Sequence, residues 1–174
     1  MTYAASPVVT RRFTIKPPAP RPLREARLAG SFDVTQRFTS VYGIDLKAGS
    51  KGTGSWTFAP LCRAGVCSVR LTFPYGHASD VISTPHTQRV PLKRSGAAYS
   101  GAARASTLEC SIGHEVAGTL TVKLRVTKAA WIAGKWSATR FTGISRLAAP
   151  SATAGIYRCP AAGYTAALSG APAS

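Results

Sequence analysis

Residues 54–73 read GSWTFAPLCRAGVCSVRLTF, and they decide the fold class. Ser55-Trp56-Thr57-Phe58 alternates polar and aromatic residues. Ser68-Val69-Arg70-Leu71-Thr72-Phe73 alternates polar and apolar residues. A period of two places Trp56 and Phe58 on one face of an extended strand, and Val69, Leu71 and Phe73 on one face of another. Between these arms Cys62 and Cys67 enclose Ala64-Gly65, a turn-forming pair. The stretch reads as a β-hairpin whose tip is stapled by a small disulfide loop.

Working outward, the same alternation recurs. Gly30 to Thr39 places Phe32, Val34 and Phe38 opposite Asp33, Thr35, Arg37 and Thr39. Residues 43–52 hold the turn formers Gly49-Ser50-Lys51-Gly52 and read as a loop. Pro74 to Pro85 also reads as a loop. Gln88 to Leu92 reads as a short strand that Pro91 pushes toward a sheet edge. Arg94-Ser95-Gly96 turns the chain, Ala98 to Thr107 alternates weakly and reads as a strand, and Ser111 to Gly118 reads as a turn. Thr119 to Lys128 is the cleanest strand, with Leu120, Val122, Leu124 and Val126 on one face and Thr121, Lys123, Arg125 and Thr127 on the other. One dry face and one wet face are the mark of an antiparallel sheet. Ala129 to Gly134 reads as a connection carrying Trp131. Trp136 to Leu147 reads as a strand with a helical alternative. Ala148 to Pro160 reads as a loop, and Tyr164 to Leu168 as the closing strand.

About eight strands with turns between them predict an all-β fold. The architecture is a disulfide-stapled antiparallel β-barrel, lipocalin-like and up-and-down, or a β-sandwich. The barrel is preferred, because pairing the first strand with the last removes both edges. The domain spans residues 28–170. Residues 1–27 read as a disordered basic arm or linker rich in proline, and 171–174 as a tail.

The chain has 174 residues, enough for one domain. It carries 22 Lys and Arg against 6 Asp and Glu, a formal charge of +16. Such a surface attracts polyanions: acidic wall polymer, anionic lipid or nucleic acid. Nucleic acid is the least favoured of these, since the basic-aromatic motif of an RNA-binding sheet is absent. Arg11, Arg12, Lys16, Arg21, Arg24 and Arg27, less Glu25, give the arm a net +5 and make it the candidate polyanion contact. No apolar run approaches the ~20 residues of a spanning helix, and residues 1–20 have no signal-peptide core.

The four cysteines pair most naturally as Cys62–Cys67 and Cys110–Cys159. A zinc site fits poorly, because Cys110 and Cys159 do not form a second short knuckle. Two disulfides imply an oxidising compartment, and so a secreted or cell-envelope protein despite the missing signal.

No nucleophile elbow, phosphate loop or dinucleotide fingerprint occurs, so no enzyme, cofactor or metal is expected. Glu109-Cys110 with His114-Glu115, and His77 with Asp80 and His86, read as loop residues. Trp131 and Trp136 are candidate rim aromatics over a barrel mouth, where a ring offers an apolar face and a polar tip. An eight-stranded barrel can hold one small apolar or glycan ligand. The sequence thus points to a monomeric, non-enzymatic binding or sensory domain, with a polyanion-binding surface protein, engaged through the arm and the basic strand faces, as the rival.

The pattern Gly54-x-Trp56-x-Phe58-x-Pro60-x-Cys62, followed by Cys67-x-Val69-x-Leu71, resembles small exported β-domains of actinobacteria. Tyr99-Ser100-Gly101, Cys110 and the strand at Thr119 to Lys128 follow in the same order. The resemblance implies an envelope or secreted location. It implies no activity and no site residues.

Overall fold

A computed structural model describes residues 18–75, 86–111, 114–154 and 157–173, with the backbone alone at 75, 86, 105–111, 114–115, 153–154 and 157. A 3₁₀ turn, Leu23–Glu25, precedes β1 (Gly30–Tyr42), β2 (Lys51–Pro60), β3 (Val69–Tyr75), β4 (His86–Ser95) and β5 (Ala98–Ser111). There follow β6 (His114–Ile132), β7 (Lys135–Ala149), β8 (Ala152–Ala154), β9 (Tyr157–Cys159) and β10 (Ala162–Pro172). Eight strands close a ring in the order β1-β10-β7-β6-β5-β4-β3-β2, every neighbour antiparallel. The barrel is therefore the architecture, and β1 does close on β10, with Val34 opposite Gly170. β8 and β9 form a separate two-stranded ribbon.

The stapled hairpin is β2–β3, with Phe58 opposite Leu71 and a Cys62–Cys67 disulfide at its tip. Its alternation is spent inward: Trp56, Phe58, Val69, Leu71 and Phe73 are all buried. So are Leu120, Val122, Leu124 and Val126 of β6. Rings fill the middle of the barrel. Phe32 meets Phe58 at 5.5 Å and Phe141 at 5.4 Å, and Phe58 meets Phe141 at 5.4 Å. Trp56 stacks on Phe73 at 4.9 Å. Gly170 lies against this cluster because a Cβ there would overlap the Phe141 ring.

Several local expectations are corrected. Gly118 lies within β6 rather than in a turn. It is a close-approach glycine, since a Cβ would stand 3.0 Å from Leu147 Cδ1 and 3.1 Å from the Ala148 carbonyl oxygen. Ala129 to Ile132 continue β6, and only Ala133-Gly134 turn. Both have positive φ, 47° and 74°, as a two-residue hairpin turn needs. Residues 136–147 are strand, not helix, and the expected 148–160 loop contains β8 and β9. Pro74 belongs to β3, and residues 169–172 belong to β10.

Pro91 sits inside the ring, paired with Arg70 of β3. Its missing N–H is felt on the other side. There the β4–β5 ladder has only three pairs: Lys93 with Ser100, Arg94 with Tyr99, and Ser95 with Ala98. The Pro91 carbonyl presses on Gly101, where any Cβ would clash with it. Farther along, the amide of the buried Gln88 donates to the Arg104 carbonyl at 3.3 Å and spans the gap in the ladder.

Candidate functional site: a basic face on a protruding hairpin

β6 and β7 outrun their neighbours. β5 reaches only as far as Arg125, and β10 only as far as Phe141. Beyond those points neither β5 nor β10 flanks the hairpin, and its register shifts at Val126/Lys128 and Lys128/Ala129. Such irregularities raise the local twist and re-aim side chains.

Facing residues of this ladder are Thr121–Arg146, Lys123–Ile144, Arg125–Thr142, Lys128–Arg140, Ala130–Ser137 and Ile132–Lys135. Lys123, Arg125, Lys128, Lys135, Arg140 and Arg146 are exposed. Alternate positions of a strand stand ~6.6–6.8 Å apart, so these cations form a strip roughly 35 Å long. Lys93 of β4 adjoins it across Ser100 of β5. The acids with described side chains lie elsewhere: Glu25 on the N-terminal segment, Asp33 on β1 and Asp45 after β1. Glu109 and Glu115 belong to the far ends of β5 and β6, away from the β6–β7 turn. On the same strip Ile132 is 48% exposed and Ile144 is 52% exposed.

The other face of the projecting hairpin holds the N-terminal segment. Trp131 and Trp136 are direct partners with rings 5.7 Å apart. Trp131 Nε1 donates to the Ala19 carbonyl at 3.1 Å, and Trp136 Nε1 donates to the Pro22 carbonyl at 3.3 Å. The Arg21 guanidinium stands 5.0 Å from the centre of the Trp131 ring. Arg27 bridges in parallel to Ser137: its N–H donates to the Trp136 carbonyl, and the Ala138 N–H donates to the Arg27 carbonyl, both at 2.9 Å. This pairing covers the edge of β7 that β10 leaves bare. Ala26 and Leu28 are buried in the barrel's own core.

The two tryptophans thus hold a strap of the chain itself. Residues 19–27, expected as part of a disordered arm, are fastened down. Arg21 and Arg27 serve that docking, while Arg24 is exposed on the 3₁₀ turn. Arg11, Arg12 and Lys16 lie outside the described residues, as do residues 76–85 with His77 and Asp80. Of His86, Glu109, Cys110, His114 and Glu115 only the backbone is described. Cys159 is disulfide-bonded and buried, on a strand that lies against β5, the strand of Cys110.

Sequence reasoning named residues only on the arm, and took the basic strand faces as a polyanion contact without singling out this strip. The signal was present in TVKLRVTK, where the wet face of the cleanest strand is cationic. Its extension through β7 needed the register to be seen.

Tyr99 marks the inner boundary of this region. It is 1% exposed, and burial pushes its hydroxyl above the usual 10.0, partly opposed by Arg94 and the Leu28 backbone beside it. Burial penalises the phenolate, so the ring stays neutral.

No protein-family model matches the chain, and no curated protein matches it. Among solved structures the chain is similar to the monomer form of the M. tuberculosis PknI sensor domain, at 10% identity and a TM-score of 0.43, over 90% of this chain and 91% of that one. The fold and the site stand on the chain's own residues.

Proposed function

We propose that this chain is a non-enzymatic, extracytoplasmic binding or sensory β-domain whose working surface is the outer face of β6–β7, and that the surface engages a polyanion. The observation that carries the reading is the acid-free run of exposed cations at Lys123, Arg125, Lys128, Lys135, Arg140 and Arg146. Disulfide bonding at Cys62, Cys67 and Cys159 supports the extracytoplasmic placement, since such bonds persist in oxidising compartments. A small ligand inside the barrel finds less support. Phe32, Phe58 and Phe141 occupy the centre, and residues 19–28 pack at the end where the tryptophans stand.

Retention of the purified chain on immobilised heparin and on a single-stranded oligonucleotide tests the reading. Binding falls steeply with salt, because neutralised phosphates release counterions. Replacing Lys123, Arg125, Lys128 and Arg140 by Gln together lowers the slope of log affinity against log salt on the oligonucleotide by about 3, at ~0.7 for each phosphate no longer neutralised. Replacing Arg37 and Lys51, opposite each other on the β1–β2 wall, leaves retention near the parent value. Equal effects from the two sets reduce the charge to a diffuse field and overturn the assignment of the site.

A further inference from the structure

The strip is not purely ionic. Ile144 faces Lys123, and Ile132 faces Lys135, so two half-exposed aliphatic side chains stand on the same outer face as the cations. A hydrated polymer backbone has no use for them. A bilayer does: basic residues meet anionic headgroups while neighbouring aliphatic groups enter the acyl boundary. Long Lys and Arg stems suit that depth, since they lie along apolar surface and keep their charge in the headgroups.

The hairpin is also backed. The strap from Ala19 to Leu28 occupies its inner face through two indole N–H bonds and the Arg27 bridge. The tip therefore keeps its outer face turned away from the barrel.

The barrel is not itself a spanning one. Its interior is apolar and filled, and its wall carries exposed Lys93, Lys123, Arg37 and Lys51 around one girth. A membrane-spanning barrel shows the reverse, an apolar belt outside and a polar lumen.

We infer that the β6–β7 face docks on an anionic lipid bilayer, with Lys123, Arg125, Lys128, Lys135 and Arg140 at the headgroups and Ile132 and Ile144 in the acyl boundary. The inference rests on the polyanion reading and names the partner of the same surface.

Co-sedimentation of the full chain with vesicles tests it, using phosphatidylcholine alone and phosphatidylcholine mixed with phosphatidylglycerol. Binding appears with the anionic mixture, is absent from phosphatidylcholine alone, and weakens by about fivefold for each cation replaced by Gln at low salt. Ile132→Ser and Ile144→Ser each weaken vesicle binding by about tenfold. They leave heparin retention and the melting temperature at the parent values. Vesicle binding that ignores both isoleucine changes overturns the inferred docking, because the contact is then charge alone and no different from that with heparin. Heparin or oligonucleotide binding without vesicle binding overturns the bilayer and keeps a soluble polyanion. Failure on every anionic probe overturns both readings.

Discussion

At the scale of single residues, polar groups inside the barrel set a dependence on pH. Tyr99 is neutral and buried, and its hydroxyl has no well-formed hydrogen bond. Its folded-state pKa lies above its ordinary value of 10.0, so the native state holds this proton more tightly than the unfolded chain does. The stabilisation is fully present below pH 10.0 and is lost as the pH rises past it. Tyr99→Phe keeps the ring and removes the group. Urea unfolding from pH 8 to pH 11 is expected to show a shallower alkaline loss for the variant, with stability at pH 8 within about 1 kcal/mol of the parent. A parallel loss in both proteins would place the alkaline weakness elsewhere. Single residues also explain what the sequence concealed. Ala133-Gly134 turns the β6–β7 hairpin, but alanine is a poor advertisement for φ of 47°, so the expected connection ran from Ala129. Gly118 has the look of punctuation and is instead a place where β7 comes close.

At the scale of elements, the projecting hairpin and its strap form one unit. The position of Trp131 and Trp136 beyond a strong strand suits rim aromatics. They do stand at that end, and their polar tips hold Ala19 and Pro22 rather than facing an open mouth. Composition could not show this, because prolines and arginines ahead of the first strand look alike whether tethered or free. What gives the strap away is Ala26 and Leu28, whose alternation with Arg27 is too short to read without its partner strand. Trp131→Phe removes one N–H bond and weakens the seat of Arg21. A lost bond of this kind costs ~1 kcal/mol. Native-state hydrogen exchange is expected to speed up at the Arg27 and Ala138 amides, which close the parallel bridge, while β2 and β3 amides keep their protection. Uniform acceleration across the barrel would make the strap part of the global fold.

At the scale of the whole molecule, the fold was legible where one face of a strand is dry, as in β1, β2, β3 and β6. It was less legible in β5 and β10, where alanine, serine and glycine dominate and the period of two is faint. Reduction with thiol alkylation addresses the compartment. Four cysteines in two bridges make the unreduced mass lighter by four hydrogens and leave no thiol to alkylate. A chain purified with free thiols would remove the main support for an oxidising location. The ring is closed by β1 on β10, the first strand on the last, with Phe32 opposite Pro172. That seam matters in the order of synthesis. Of the barrel strands β1 is made first; it bonds β2 early along one edge, and then waits for the other barrel strands before β10 satisfies the other edge. Until β10 emerges, every nascent copy carries an unpaired β1 edge. Crowding among copies, rather than heat, is then the hazard this barrel meets earliest.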